Sequence, residues 1–255
     1  MFLRLCSRAP LTMILSWNNL FSVLEKAKSI YLEQNFSLFN FLMPEKISSY
    51  TTIRAKSESK YKEKGSIFLA FAHPVETVAQ FEELLAGYRK QYYDAVHHCS
   101  AFRLIDGSFK YSDDGEPSGT AGLRIFNAIE HRGLNNIAVI VVRYFGGVKL
   151  GVGPLGKAYY DTALEALANA NPVTLHRFVR CVFSAPYELS SYLYRHLAGS
   201  DVKIISSDYA TGISLDVWIK GTSAGEIIEG ILSLANGQVE YLETDEEHYF
   251  PQDQT

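Results

Sequence analysis

The sequence predicts an α+β protein whose two halves order their strands and helices differently. In the first half, strand-like runs alternate with amphipathic helical runs as far as Asn171-Pro172, where the proline ends a helical pattern. The second half reads strand, helix, strand, strand, helix, strand, which is the ferredoxin-like βαββαβ order. Since 47% of the 255 residues are hydrophobic, the chain can fill two ordinary cores. We expect an N-terminal extension over 1–45, a first domain over 46–172 and a second over 176–250.

The first half begins with two strand patterns and a helix. Residues 49–65 alternate and predict a half-exposed strand, and the apolar run over 66–75 predicts a buried one after a turn at Gly65. Apolar residues at helical spacing predict a helix over 76–93. Residues 95–105 then have the composition of another strand.

The rest of the first half surrounds a central strand. Residues 106–117 are polar and predict a connection, and 118–133 predict a helix capped by Ser118 or Thr120. The β-branched run over 135–145 is typical of a strand covered on both faces. A glycine-rich segment leads from it into a helix over 157–170.

The second half has shorter elements. The strands are expected over 177–187, 201–210, 213–221 and 238–250, and the helices over 188–199 and 223–235.

Charge and cysteine content limit the classes of function. The net charge is −4, so the chain has no overall basic field, and nucleic-acid binding would need a local patch. The three cysteines are odd in number and far apart, which disfavours a cysteine zinc site and fits a reducing cytoplasm. No apolar run reaches the roughly 18 residues that span a bilayer. We expect a cytoplasmic monomer without cofactor, metal or membrane contact.

Residues 1–42 receive no function. A basic start and an apolar middle are weak signs of a signal peptide, but Asn18 and Asn19 interrupt the apolar stretch. The segment is expected to be an appended extension, either disordered or not translated, with Met43 as an internal start.

The stretch "YSDDGEPSGTAG", Tyr111 to Gly122, is called the acidic turn below. Its acids lack the alternating ligand positions of a calcium loop. They predict a tight turn in which an aspartate caps backbone amides and Gly115 supplies positive φ. A partner surface, or a metal or acid–base site, remains an alternative. One histidine of the adjacent pair His97-His98 is expected to anchor the turn through a carboxylate, since Cys–His catalysis from one strand would place base and thiol poorly.

Residues 146–156, "GGVKLGVGPLG", are called the glycine loop. They follow a buried strand and lead into a helix, so backbone amides could face an anion. Arg143, Lys149 and Lys157 would make this region a cationic patch. The segment is neither a Walker loop nor a dinucleotide fingerprint. The alternatives are phosphate binding to RNA or a nucleotide, a protein partner, or glycines that only permit close packing.

The segments "HHCSAFR", "SDDGEPSGTAG" and "VVRYFGGVKLGVGPLGKAY" together resemble the Impact family in its bacterial, two-domain YigZ-like form. The resemblance runs from about Tyr50 to the C-terminus. It implies a first domain like domain 2 of ribosomal protein S5 and a ferredoxin-like second domain, both similar to parts of elongation factor G. It also implies a role in translation, with no established catalytic residues. The chain departs from the family pattern at Ile67, at Arg124 and at Pro154.

Three functions follow as hypotheses. The first is a non-catalytic, translation-associated protein that binds RNA, the ribosome or a translation factor. The second is a protein-only adaptor, and the third a Mg²⁺-dependent nucleotide enzyme that uses the acids of the acidic turn. We favour the first, with binding residues in the acidic turn region (His98, Cys99, Asp113, Asp114, Glu116) and around the glycine loop (Arg143, Gly146, Gly147, Lys149, Gly151, Lys157).

Overall fold

A computed structural model describes residues 46–251, and the predictions for residues 1–45 lie outside the described part. The first sheet has the order β2-β3-β6-β4-β5, and every neighbouring pair is antiparallel. Helix α1 covers one face, and α2 and α3 cover the other. The elements are β2 (Ser57–Glu63), β3 (Ser66–Pro74), α1 (Val78–Gln91), β4 (His97–Arg103), β5 (Phe109–Ser112), α2 (Gly122–His131), β6 (Ile137–Tyr144) and α3 (Val152–Ala168).

Alternation along the central strands builds two cores on the two faces of this sheet. Phe68 and Ala70 of β3 join the core under α2 and α3, whereas Phe71 stacks on Tyr88 of α1. Every residue of β6 except Tyr144 is buried, which confirms the prediction of a strand covered on both faces.

The second sheet contains the predicted βαββαβ unit, and the mixed α+β fold class is confirmed. Its strand order is β10-β7-β9-β8, with helices α4 and α5 packed over a common core. A short 3₁₀ turn, Tyr187–Leu189, precedes α4. The elements are β7 (Pro172–Ala185), α4 (Ser190–His196), β8 (Val202–Asp208), β9 (Ile213–Lys220), α5 (Ala224–Leu234) and β10 (Glu240–Pro251).

The strand predicted over 49–65 is in fact two strands in different sheets. Strand β1 (Ser49–Ile53) pairs with the first five residues of β7 and so belongs to the second sheet. It is also tied to the first sheet through Asn136, whose carbonyl accepts from Thr52 Oγ1 at 3.1 Å and whose Nδ2 donates to Tyr50 Oη at 2.9 Å. β1 therefore joins the two sheets.

Three other predicted boundaries were wrong. The polar connection over 106–117 contains β5, an edge strand that packs Phe109 and Tyr111 against Phe126. Helix α3 begins at Val152 and not at 157, because a proline in the first turn of a helix removes only an amide without an intrahelical partner. Strand β7 begins five residues before 177, where β1 pairs with it.

Within residues 46–251, no helix is long and apolar enough to cross a membrane.

Candidate functional site

The acidic turn is folded around the carboxylate of Asp113. One oxygen accepts the amides of Ala121 and Gly122 at 2.9 and 2.8 Å, and the other accepts the amide of Gly119 at 2.9 Å. Ala121, the residue at the N-cap of α2, forms no side-chain cap itself. The cap therefore comes from Asp113, nine residues before the helix begins, and the expectation that Ser118 or Thr120 caps it was wrong.

The next two residues make a left-handed bend. Asp114 has φ +44° and Gly115 has φ +91°. The Asp114 carboxylate accepts from Arg89 at 2.8 Å and from the backbone amide of His98 at 2.7 Å. Both oxygens of this carboxylate are thus engaged by other parts of the chain.

The histidine whose side chain anchors the turn is His97. A ring nitrogen of His97 lies 2.7 Å from the carbonyl oxygen of Asp114, while Nε2 of His98 lies 3.1 Å from the carbonyl oxygen of Tyr92. The other ring nitrogen of His98 is 4.0 Å from the Asp114 carboxylate, which is too long for a hydrogen bond. His98 contributes to the turn through its backbone.

Glu116 and Arg143 join the acidic turn to the root of the glycine loop. One oxygen of Glu116 accepts from the Arg143 guanidinium and from the hydroxyl of Tyr159, the latter at 2.7 Å. Arg143 is 5% exposed and Glu116 is 9% exposed. Both charged groups, which the sequence predicted as binding residues, are thus buried in this structure. Their role in this structure is to hold the two segments together.

Cys99 lies beneath this cluster. Its thiol is fully buried, donates to the carbonyl oxygen of Asp113 at 3.0 Å and lies 3.4 Å from the hydroxyl of Tyr159. Burial raises the pKa of the Cys99 thiol, and burial likewise raises the pKa of the Tyr159 hydroxyl. Both groups stay protonated near neutral pH, and a neutral thiol is a poor nucleophile.

The glycines at the start of the loop have a steric reason. A Cβ on Gly146 would lie 2.0 Å from the carbonyl carbon of Gly65, and the Gly146 amide donates to Ser66 Oγ at 3.1 Å. Gly147 and Gly151 have φ of +86° and +85°, which favours glycine. Tight packing, one of the alternatives from the sequence, accounts for Gly146, and backbone conformation accounts for the other two.

The outer part of the loop has free donors. The Leu155 amide donates the first intrahelical hydrogen bond of α3, to the Gly151 carbonyl at 3.0 Å. The amides of Val152 and Gly153 come before it and therefore have no acceptor within the helix. Gly151 has no side chain to cap them. Lys149 is exposed, and Lys157 is 74% exposed although it pairs with Asp161.

Beside this helix start is a cleft of about 420 Å³ between α2 and α3. Lys157, Gly153, Arg124 and Asn127 line it, so two cationic side chains and the beginning of α3 meet there. In the sequence, Arg124 was a departure from the family pattern that adds a positive charge near the glycine loop. Asn127 was missed, because nothing local marks an asparagine on a helix as part of a cleft.

The structure thus divides the predicted site into an inner and an outer part. The inner part is hydrogen-bonded together and comprises His98, Cys99, Asp113, Asp114, Glu116, Arg143 and Gly146. The outer part is Gly147, Lys149, Gly151 and Lys157, none of which bonds to the acidic turn. Among residues 46–251, no three His, Cys, Asp or Glu side chains are grouped so that they could hold a metal ion.

Comparison with known proteins gives consistent matches. Residues 64–167 match the model of the Impact N-terminal domain. The chain is 31% identical over 182 residues to the IMPACT family member YigZ of Escherichia coli (strain K12), covering 70% of this chain and 88% of that protein. It is 29% identical over 200 residues to the IMPACT family member YvyE of Bacillus subtilis (strain 168), covering 77% and 92%. A crystal structure titled as that of a hypothetical protein matches with a TM-score of 0.56 at 27% identity, over 78% of this chain and 99% of the other.

Proposed function

This chain belongs to the Impact family, and on that premise we propose that it is a non-catalytic, cytoplasmic regulator of translation that binds RNA through the outer glycine loop. Family membership supports a translation-related regulatory role at the level of the family. The choice of RNA depends on which charged groups remain accessible.

The observation that carries the proposal is the contrast in available charge. The carboxylates of the acidic turn accept hydrogen bonds from four amides, from Arg89, from Arg143 and from the Tyr159 hydroxyl, so little negative charge remains for a partner. Lys149, Lys157 and Arg124 surround an uncapped helix start, and both lysines are exposed. Phosphate groups bind favourably at a helix N-terminus flanked by cations.

This charge distribution argues against the two other hypotheses. An adaptor that docked through the acidic turn would have to break the Arg89–Asp114 pair or expose the buried Glu116. A Mg²⁺ site on the same acids would compete with the three amides that Asp113 accepts. RNA binding at the outer loop requires neither change.

The test is binding of fluorescently labelled single-stranded RNA to the full chain at several salt concentrations. Each phosphate contact contributes a slope of roughly −0.7 to log K against log salt. We expect Lys149→Gln and Arg124→Gln each to reduce the slope by about one contact. Lys90→Gln, on the exposed side of α1 across the sheet from the loop, is the matched control and should leave the slope unchanged.

An RNA affinity that does not change with salt concentration would contradict the proposal. Equal reductions of the slope in the loop variants and in Lys90→Gln would contradict it as well. Thermal shift with Mg·ATP and Mg·GTP provides the second readout. A nucleotide at ~100 times its dissociation constant should add about 2.7 kcal/mol of stability. Such a shift, abolished by Lys149→Gln, would favour a nucleotide site over RNA.

A further inference from the structure

A second cleft lies on the other face of the first sheet, away from the glycine loop. Helix α1 packs on β3 and β6 through Tyr88, and on β4 through the contact of Phe81 with Phe102. Strand β5 is covered on the α2 face by the stacking of Phe109 on Phe126. On the α1 face it has no such cover, and a cleft of about 350 Å³ remains between α1 and the β4–β5 edge.

One wall of this cleft is apolar and its floor contains an unpaired hydroxyl. The wall is formed by Phe81, Leu85 and Ala86. Ser100, on β4, lines the cleft and is 1% exposed, yet its hydroxyl forms no hydrogen bond with any of residues 46–251. This hydroxyl is not among the buried side-chain atoms without a partner, which within residues 46–251 are Nε of Arg143 and Nε of Arg177, so it keeps access to the cleft. It can therefore form a hydrogen bond to a ligand atom there.

The rim of the cleft is mainly cationic. The register pairs Phe102 with Lys110 and Ser100 with Ser112, so Lys110 lies on the same face of the sheet as Ser100. Lys110 forms no ion pair with any residue of the described range, and Arg89 uses one nitrogen on Asp114, which leaves most of its five N–H donors free. Glu82 is the acid among the lining residues.

We propose that this cleft binds a small organic acid with an apolar body. The apolar body packs between Phe81 and Leu85, the carboxylate lies between Lys110 and Arg89, and the Ser100 hydroxyl forms a hydrogen bond to it. A volume of about 350 Å³ is at the lower end of the range for small-molecule sites. The cleft shares no lining residue with the one between α2 and α3, so this inference is independent of RNA binding.

The experiment is a titration of the ¹⁵N-labelled full chain, followed by amide chemical shifts, with three probes. The probes are 3-phenylpropanoate, its neutral isostere 3-phenylpropanamide, and acetate, which has the charge without the apolar body. We expect saturable shifts from 3-phenylpropanoate at Ser100, Ser112 and Lys110 and in the second half of α1. The amide should bind at least about fivefold more weakly and acetate should not saturate, because each lacks one of the two recognised features.

Variants localise the site. Lys110→Gln should weaken 3-phenylpropanoate binding by about three- to tenfold, and Ser100→Ala should weaken it by about threefold or more, which are ordinary values for one exposed charge and one hydrogen bond. Lys62→Gln, on the edge strand at the opposite side of the same sheet, is the matched control and should bind like the unmodified chain.

Three results would overturn the proposal. The first is the absence of saturable shifts up to about 10 mM 3-phenylpropanoate, since a dissociation constant above that value would not indicate a specific site. The second is equal affinity for the acid and its amide. The third is a Lys110→Gln variant that binds 3-phenylpropanoate as tightly as the Lys62→Gln control.

Discussion

The acidic turn and the glycine loop are built from similar parts and end in opposite states. Each contains left-handed glycines, and each leads into a helix whose N-cap residue provides no side-chain bond. At α2 the free amides are taken by Asp113 from within the turn, whereas at α3 the amides of Val152 and Gly153 remain open. The difference teaches that glycines beside a helix start do not by themselves indicate a binding site. What matters is whether the chain itself caps the helix.

The largest effect is expected where the two regions meet. Arg143→Met removes the guanidinium partner of Glu116. It leaves a buried carboxylate with the Tyr159 hydroxyl and with the His97 ring 3.8 Å away, so the free energy of unfolding should fall by about 3–5 kcal/mol. Urea unfolding measures it. The control is Arg180→Met in the second sheet, whose pairs with Asp216 and Glu246 are partly exposed and should matter less. Equal losses in the two variants would mean that the Glu116–Arg143 contact has no special weight.

Removing the internal cap tests the acidic turn directly. Asp113→Ala leaves the amides of Gly119, Ala121 and Gly122 without their acceptor, and we expect a loss of about 2–4 kcal/mol in the free energy of unfolding. Asp106→Ala is the control, since Asp106 accepts only the amide of Ser108 in an exposed turn and should cost less than about 1 kcal/mol. A loss below about 1 kcal/mol for Asp113→Ala would mean that the acidic turn is not held together by its internal cap and is as open as the outer glycine loop.

Two glycines within the glycine loop should respond differently to alanine. Gly146→Ala drives a Cβ into the backbone of Gly65 and should destabilise the chain by about 1–3 kcal/mol. A Cβ on Gly153 would meet no atom within 4 Å, and the residue lies in the first turn of α3, so Gly153→Ala should be neutral or stabilise by up to about 1 kcal/mol. Thermal unfolding of both variants measures the difference, and similar midpoints would contradict the division of the loop into a packed root and an open end.

The smallest effect is expected at the outer side of the acidic turn. Arg89 is half-exposed, so Arg89→Gln should lower the free energy of unfolding by no more than about 1 kcal/mol, and less at high salt. The measurement is urea unfolding at low and high salt. A larger loss that persists in salt would show that Arg89 holds the turn closed in the way that Arg143 does.

The sequence predicted most of the elements and the fold class, but not the contacts that decide the site. Periodicity located β3, β6 and the second-half βαββαβ order, because each buries apolar residues at a regular spacing. It could not separate β1 from β2, since the two strands alternate in the same way and differ only in their partners. Strand β5 was read as a polar connection because it is an edge strand with most of its residues exposed to solvent.

The functions of the charged residues were harder to predict. The sequence does not show whether a charged side chain is solvated or buried. Glu116 and Arg143 are 27 positions apart, so no local pattern indicates that they form a pair. The sequence predicted that an aspartate of the acidic turn caps backbone amides, but not that these include the first amides of α2. Capping rules examine the residue next to the helix, and here the chain folds back across a turn. Lys149 was predicted as part of a cationic patch at the glycine loop, and in the structure it is exposed beside the start of α3.

Strand β1 has a consequence for how this chain can be divided. It precedes the first sheet along the chain yet completes the second one, and Asn136 fastens it to the first. A fragment that ended at residue 171 would contain β1 without its partner strand β7. The unpaired backbone groups of β1 would then be able to pair with another copy of the fragment. A fragment of the first half should therefore begin at β2, and a fragment that contains β1 should keep the whole of β7.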